Sequence, residues 1–169
     1  CAVALVNAGI VKVIAAMVDP NPAVSGRGLA ILEQAGIETA FGLMQVEAEA
    51  LNVGFLKRMR CNMPFVQCKL AATLDGKTAL ANGQSKWITS PLARAQVQDY
   101  RAQSCAVLTG ADTVLVDNAK MNVRYDELIN PPFSLDKLRQ PIRVVIDSKH
   151  RLTPDLAFFQ IQSPVIILT

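Results

Sequence analysis

Histidine is almost absent from this 169-residue chain: His150 is the only one. A lone imidazole, far in sequence from any plausible co-ligand, reads as a surface-loop residue. Cysteine is sparse as well. Cys1, Cys61, Cys68 and Cys105 form no CxxC pair, so a self-contained structural zinc site is not expected. In a reducing cytosol they stay as thiols. The chain contains neither GxGxxG nor a GK[ST] loop, which removes the usual dinucleotide and P-loop fingerprints. Any nucleotide would have to be held another way. No apolar run approaches the ~20 residues of a membrane span. The opening CAVALVNAGI lacks a basic n-region and a cleavage motif. No membrane partner and no leader are therefore expected. Basic residues are scattered, and the net charge is only +3, so a nucleic-acid partner is not expected either. The one dense basic cluster, Lys57-Arg58-Met59-Arg60, closes a predicted helix, where positive charge complements the helix dipole. There is no initiator Met, no internal repeat and no low-complexity tract, and the chain reads as a piece of something longer.

What is present is apolar residues, 51% of the chain, enough for a sizeable core and too many for disorder. The pattern predicts an α/β polypeptide in two parts. A short helix from Cys1 to Ala8 stops at Gly9. Val11 to Met17 holds a buried strand, and the proline- and glycine-bearing loop Asp19 to Gly28 follows. Leu29, Ile31 and Leu32 mark a helix ending at Gly36, then a strand over Ile37 to Phe41. One long helix is predicted from Gln45 to Arg60, because Val46, Leu51, Phe55, Leu56 and Met59 recur near helical spacing. Helices alternating with strands argue for parallel pairing. Asn62-Met63-Pro64 then punctuates the chain, which places a boundary there.

The second part opens on VQCKLAATLDGKTALANGQSKWITS, Val66 to Ser90. Period-two alternation and the Asp75-Gly76 turn signal predict a hairpin with Lys69 on its first strand and Lys77 to Leu80 returning. Thr89 or Ser90 caps the next helix, with Pro91 in its first turn. That helix, Pro91 to Gln103, is expected to turn Val97 and Tyr100 inward. Strands follow at Ala106 to Thr109, Arg143 to Ile146 and from Pro164, around a long polar loop from Asp117 to Leu138. Thr113 to Val116 is left as a helical turn or a short strand.

Several side chains invite chemistry. Cys1 at a helix N-terminus suits a metal ligand or a nucleophile, against the plainer role of a small buried residue. Lys69 suits a hydrogen-bond donor or an imine partner, against an ordinary solvent-facing lysine. Arg101 and Arg124 could each clamp a phosphate, although single surface arginines are common. The residues by themselves go no further than a two-part α/β chain with a candidate cofactor site.

The words CAVALVNAGI, AAMVDPNPAVSGRGLAILEQAGI, LNVGFLKRMR, KLAATLDGKTA, SKWITS and RAQSCAVLTGADTVLVDN, in this order, closely resemble the bacterial bifunctional riboflavin-biosynthesis deaminase/reductase family. The resemblance runs from Cys1 to about Ser148. It implies that residues 1–61 are the C-terminal part of a zinc deaminase domain of cytidine-deaminase-like fold. It implies that residues 62–169 are the N-terminal part of an NADPH-dependent, dihydrofolate-reductase-like domain. The implied reactions are zinc-dependent deamination of a diaminopyrimidine ribosyl phosphate and NADPH-dependent reduction of its ribosyl chain to ribityl. Cys1 then matches the last zinc ligand, with the family's other ligands and its catalytic Glu upstream, so this piece alone is expected to be inactive. Lys69 matches a strand lysine near the substrate ribose, while Asp75 matches the turn aspartate and is given a structural role. Ala71, Trp87, Thr113, Asp117 and Ser148 match positions lining the NADPH site. Ser85, Arg101, Met121 and Arg124 match substrate positions, with the arginines suited to the 5′-phosphate. The family also implies a cytoplasmic homo-oligomer acting on a small molecule. A catalytically silent, nucleotide-binding module is the alternative reading.

Overall fold

The computed structural model describes residues 1–169, which divide into two compact units, Cys1–Lys69 and Leu70–Thr169. The sequence boundary at Asn62 to Pro64 lies just ahead of that division. Asn62 caps the last helix of the first unit in the left-handed region, φ 54°.

The first unit runs α1 (Ala2–Asn7), β1 (Lys12–Ala15), α2 (Arg27–Gln34), β2 (Glu38–Phe41), α3 (Gln45–Leu51) and α4 (Val53–Cys61). Strands β1 and β2 pair in parallel, Lys12 opposite Glu38. Those two side chains form an exposed ion pair of 2.6 Å across the ladder. Gly36, at φ 80°, makes the reversal from α2 into β2 that a residue with a Cβ would resist. Leu32, Ile37 and Leu56 are the buried apolar residues of this unit.

The single helix expected over Gln45 to Arg60 is two helices. Asn52 departs from helical geometry at φ −119°, ψ 24°, and its side-chain amide donates to the Ala48 carbonyl at 2.8 Å. That bond competes with the helical ladder, as Asn does by habit. The break brings Arg60 to Glu49 at 2.7 Å. An unbroken helix rises about 1.5 Å per residue, which would hold those positions roughly 16 Å apart.

The second unit contains α5 (Pro91–Gln103), β3 (Ala106–Gly110), α6 (Ala111–Asp117), β4 (Ile142–Ile146) and β5 (Val165–Leu168). The three strands form one parallel sheet in the order β3-β4-β5. Ala106 lies opposite Ile142, and Arg143 opposite Val165. Ala111 and Val114 of α6 pack with Val145 and Phe158 over one face of the sheet. Fully burying a Val or Phe side chain stabilises by about 1.5–3 kcal/mol. Helix α5 starts as its sequence predicts: Ser90 Oγ accepts from the Ala93 amide at 3.2 Å, with Pro91 in the first turn. Its inner face matches expectation only in part: Val97 is half-buried, but Tyr100 is exposed and Gln98 is the buried residue. Thr113 to Val116 is helical, inside α6.

The hairpin expected at Val66 to Leu80 forms its turn but not its strands. Gly76 sits at φ 80°. The Thr73 amide donates to the Lys77 carbonyl at 2.9 Å, and the Lys77 amide donates to Thr73 Oγ1 at 3.0 Å. A second tight turn closes at once, with the Leu80 amide bonded to the Gln84 carbonyl at 2.9 Å. Too few residues lie between the two turns to build a ladder, and an isolated two-stranded hairpin is marginal in water. Val66, Leu70 and Leu74 are exposed, so no apolar face is gained by pairing. Lys69 therefore lies outside any strand.

Candidate functional site

The second unit carries two polar clusters. The first is an open cleft of about 310 Å³ at the carboxyl ends of β3 and β4, lined by Gly110, Ala111, Asp112, Ile146, Asp147, Ser148, Lys149 and Arg151. The carboxyl ends of parallel strands are where open α/β sheets hold ligands, because loops leave there while helices fill the faces. Ser148 is exposed on this rim, directly after β4. Arg151 pairs with Asp112 at 2.6 Å across the cleft. Asp147 is 4% exposed, and its Oδ2 accepts from the Leu152 amide at 3.0 Å. That bond holds its carboxyl below the ordinary range against the opposing cost of burial, with help from the Arg151 amide and the charges of Arg151 and His150. Asp147 thus shapes the turn that presents Ser148.

The second cluster lies between α5 and the segment Lys120 to Glu127. Arg101 donates to the Asn122 carbonyl at 3.0 Å and lies 3.8 Å from Met121 Sδ. Desolvation pulls the Arg101 guanidinium below its usual pKa, and the charge of Arg124 pulls the same way, with Glu127 opposing. Arg124 is exposed and pairs with Glu127 at 2.8 Å. Two cations beside a single carboxylate leave one positive charge in excess here. Nearby in sequence, Lys86 lies 3.5 Å from Asp117. The exposed Trp87 ring stacks under the Arg94 guanidinium, 4.2 Å from its centroid.

The structure therefore brings together Arg101, Met121 and Arg124, and it ties Asp117 to the loop bearing Ser85 and Trp87. Ser148 lies in the cleft. Thr113 is exposed on α6, Ala71 is half-buried, and Ser85 and Lys69 are exposed. Cys1 is exposed, and no group of three His, Cys, Asp or Glu side chains converges anywhere. The residues present do not make up a zinc site.

The sequence reading passed over Gln98, Gln140 and Arg143. Arg143 is wholly buried in β4. It donates to the carbonyls of Lys120, Phe158, Ile161 and Ser163 and to Ser163 Oγ. It also stacks 4.7 Å from the Phe158 ring centroid. Desolvation lowers its pKa, yet a guanidinium keeps its proton. The available signal was a charge on the same strand face as Val145.

Residues 64–169 match the family described as RibD C-terminal domain. The chain belongs to that family. Similar curated proteins include the riboflavin biosynthesis protein RibD of Haemophilus influenzae, 52% identical over all of this chain and 46% of its own length. The Escherichia coli RibD is 56% identical over 91% of this chain and 43% of its own. Among solved structures, Acinetobacter baumannii RibD matches 99% of this chain and 46% of its own, with TM-score 0.89 and 46% identity. A Thermotoga maritima protein described as a diaminohydroxyphosphoribosylaminopyrimidine deaminase/5-amino-6-(5-phosphoribosylamino)uracil reductase matches 99% of this chain and 45% of its own, with TM-score 0.84 and 37% identity. The chain thus spans a little under half the length of these RibD relatives.

Proposed function

We propose that this chain is part of a bifunctional riboflavin-biosynthesis enzyme that deaminates a pyrimidine ribosyl phosphate and then reduces its ribosyl chain to ribityl. Residues 62–169 are read as the N-terminal part of an NADPH-dependent, dihydrofolate-reductase-like domain. Residues 1–61 are read as the closing part of a cytidine-deaminase-like domain. The observation that supports this most is the RibD C-terminal domain match over residues 64–169, the stretch that holds the parallel sheet and both polar clusters.

For a phosphorylated nucleotide the cleft offers the Ser148 hydroxyl and the Lys149 cation; Arg151 is already held by Asp112, and Asp147 adds a second carboxylate to the lining. Ser148, Thr113, Asp117, Trp87 and Ala71 are the residues proposed to hold NADPH, which supplies a hydride when bound. Trp87 offers a flat apolar face, and the Lys86–Asp117 pair steadies the loop that carries it. Arg101 and Arg124 take the 5′-phosphate of the substrate, and Ser85 and Met121 flank it. Lys69 is assigned to polarise the carbonyl oxygen of the opened sugar, since a cation there stabilises the negative charge that develops on reduction. Cys1 belongs to no group of three metal-ligating side chains, so these residues do not by themselves hold a zinc ion.

The test is an assay of the full-length protein carrying this chain, following nicotinamide absorbance. Addition of the deaminated pyrimidine ribosyl phosphate should start NADPH oxidation. No oxidation by folded, full-length protein would overturn the proposal.

A further inference from the structure

The segment Lys120 to Arg124, between α6 and β4, has no strand or helix to hold it. Side chains hold it instead. The Gln140 amide takes both sides of Val123: its Oε1 accepts from the Val123 N–H at 2.8 Å, and its Nε2 donates to the Val123 carbonyl at 3.0 Å. Gln98, on the inner face of α5, is 1% exposed. Its Oε1 accepts from the Arg124 N–H at 3.2 Å, and its Nε2 donates to Glu127 Oε2 at 3.3 Å. Glu127 in turn holds the Arg124 guanidinium. One turn further along α5, Arg101 donates to the Asn122 carbonyl.

The polarity of the Gln98 amide is set by its partners. An N–H faces one end and a carboxylate the other, so oxygen must face Arg124 and nitrogen must face Glu127. A buried amide costs free energy unless both ends are satisfied, and here both ends are spent on Arg124, one through its backbone and one through its counter-ion. A residue whose only task was to fill space between α5 and this segment would be apolar.

We propose that Gln98 is a positioning residue for the phosphate-binding arginines: it fixes the backbone and the carboxylate partner of Arg124 so that Arg124 and Arg101 present one preformed anion seat. This rests on the proposed reading of Arg101 and Arg124 as the 5′-phosphate contacts. The ligand class is a sugar phosphate. Gln98 acts on binding and not on hydride transfer, so its loss moves KM and leaves kcat in place.

The test uses the full-length protein with Gln98→Leu, the same change in an Arg124→Ala background, and Gln98→Asn. The shorter amide of Gln98→Asn stays polar yet cannot span from the Arg124 N–H to Glu127. Gln98→Leu should raise KM for the pyrimidine ribosyl phosphate about tenfold, the scale of one lost buried hydrogen bond. Its kcat and its KM for NADPH should stay within twofold. In the Arg124→Ala background Gln98→Leu should add little further to KM, whereas a packing role would give the same rise with or without Arg124. Calorimetry with ribose 5-phosphate separates this inference from the reading beneath it. If the natural protein binds ribose 5-phosphate, and Gln98→Leu weakens that binding, the inference stands even where no NADPH is oxidised. A folded Gln98→Leu with unchanged KM and unchanged ribose 5-phosphate affinity would overturn it, and so would a fall in kcat alone. Should Gln98→Leu fail to fold, Gln98→Asn decides: a severalfold rise in KM supports the inference, and an unchanged KM refutes it.

Discussion

Replacing Arg143 by Met keeps an unbranched apolar stem and removes every donor. Arg143 has no accessible surface, and its guanidinium meets four backbone carbonyls and one hydroxyl. Hydrogen bonds to a charged group contribute about 1.5–3 kcal/mol each, and a buried acceptor left without a donor costs about 1–3 kcal/mol. Against this, removing the charge relieves a burial penalty of several kcal/mol. The carbonyls of Phe158, Ile161 and Ser163 can also regain water by local opening. The balance is a loss of about 2–4 kcal/mol, concentrated where Arg143 ties β4 to residues 158–163 and to Lys120. Hydrogen exchange of the full-length protein reads this directly. Amides of residues 142–147 should exchange about 30- to 1000-fold faster in Arg143→Met, by the usual conversion of free energy to an opening constant. Arg143→Lys, with one charge and three donors, should fall between. Acceleration of less than about threefold in Arg143→Met would mean that its hydrogen bonds merely offset the cost of burying it, and the reasoning would fail.

Asp147 has a depressed carboxyl pKa in the folded chain, so its stabilising effect is complete above its unfolded value of about 3.9 and is lost as pH falls through the folded value. Protection of the Leu152 amide should fall over that acidic window, and Asp147→Asn should flatten the dependence, as read by exchange at several pH values. Gly54 lies in the first turn of α4, and a Cβ there meets nothing. Gly54→Ala should raise the stability of the first unit by about 0.5 kcal/mol, measured by urea unfolding. Arg94→Gln removes the cation over Trp87. It should change Trp87 emission while costing only about 0.5–1 kcal/mol, because the ring is exposed.

Sequence pattern carried most elements of both units, because local signals dominate there. Ser90 and Pro91 start α5 where such residues should, and Gly9 and Gly36 end α1 and α2 with positive φ. Two kinds of feature were not legible. One is competition between a side chain and the ladder: the Asn52 amide on the Ala48 carbonyl divides a stretch whose apolar spacing is continuous across the break. The other is burial of polar groups. Gln98 lies at helical spacing between Arg94 and Arg101, which reads as a solvated stripe until the Lys120 to Glu127 segment is placed against it. Arg143 inside IRVVI was hidden in the same way, since only tertiary contacts reveal four carbonyls pointing at one strand position. The hairpin failed for a related reason. Its alternation was real, but Val66 and Leu70 are exposed, and pairing needs a surface to bury. For the candidate site, Arg101 and Arg124 stood out as phosphate clamps by residue type and, with Met121, by the family resemblance, and the three are adjacent in space; Gln98 and Gln140, which hold the segment bearing Arg124, belong to no motif.

The claim that the second unit belongs to a reductase is tested most directly by titrating the full-length protein with NADPH and with NADH while following tryptophan fluorescence. Trp87 is the only Trp in this chain, and a Trp87→Phe control assigns the signal. The account predicts saturable quenching that favours NADPH and disappears in the control. Folded protein that shows no quenching, or equal quenching with Trp87 removed, would contradict it.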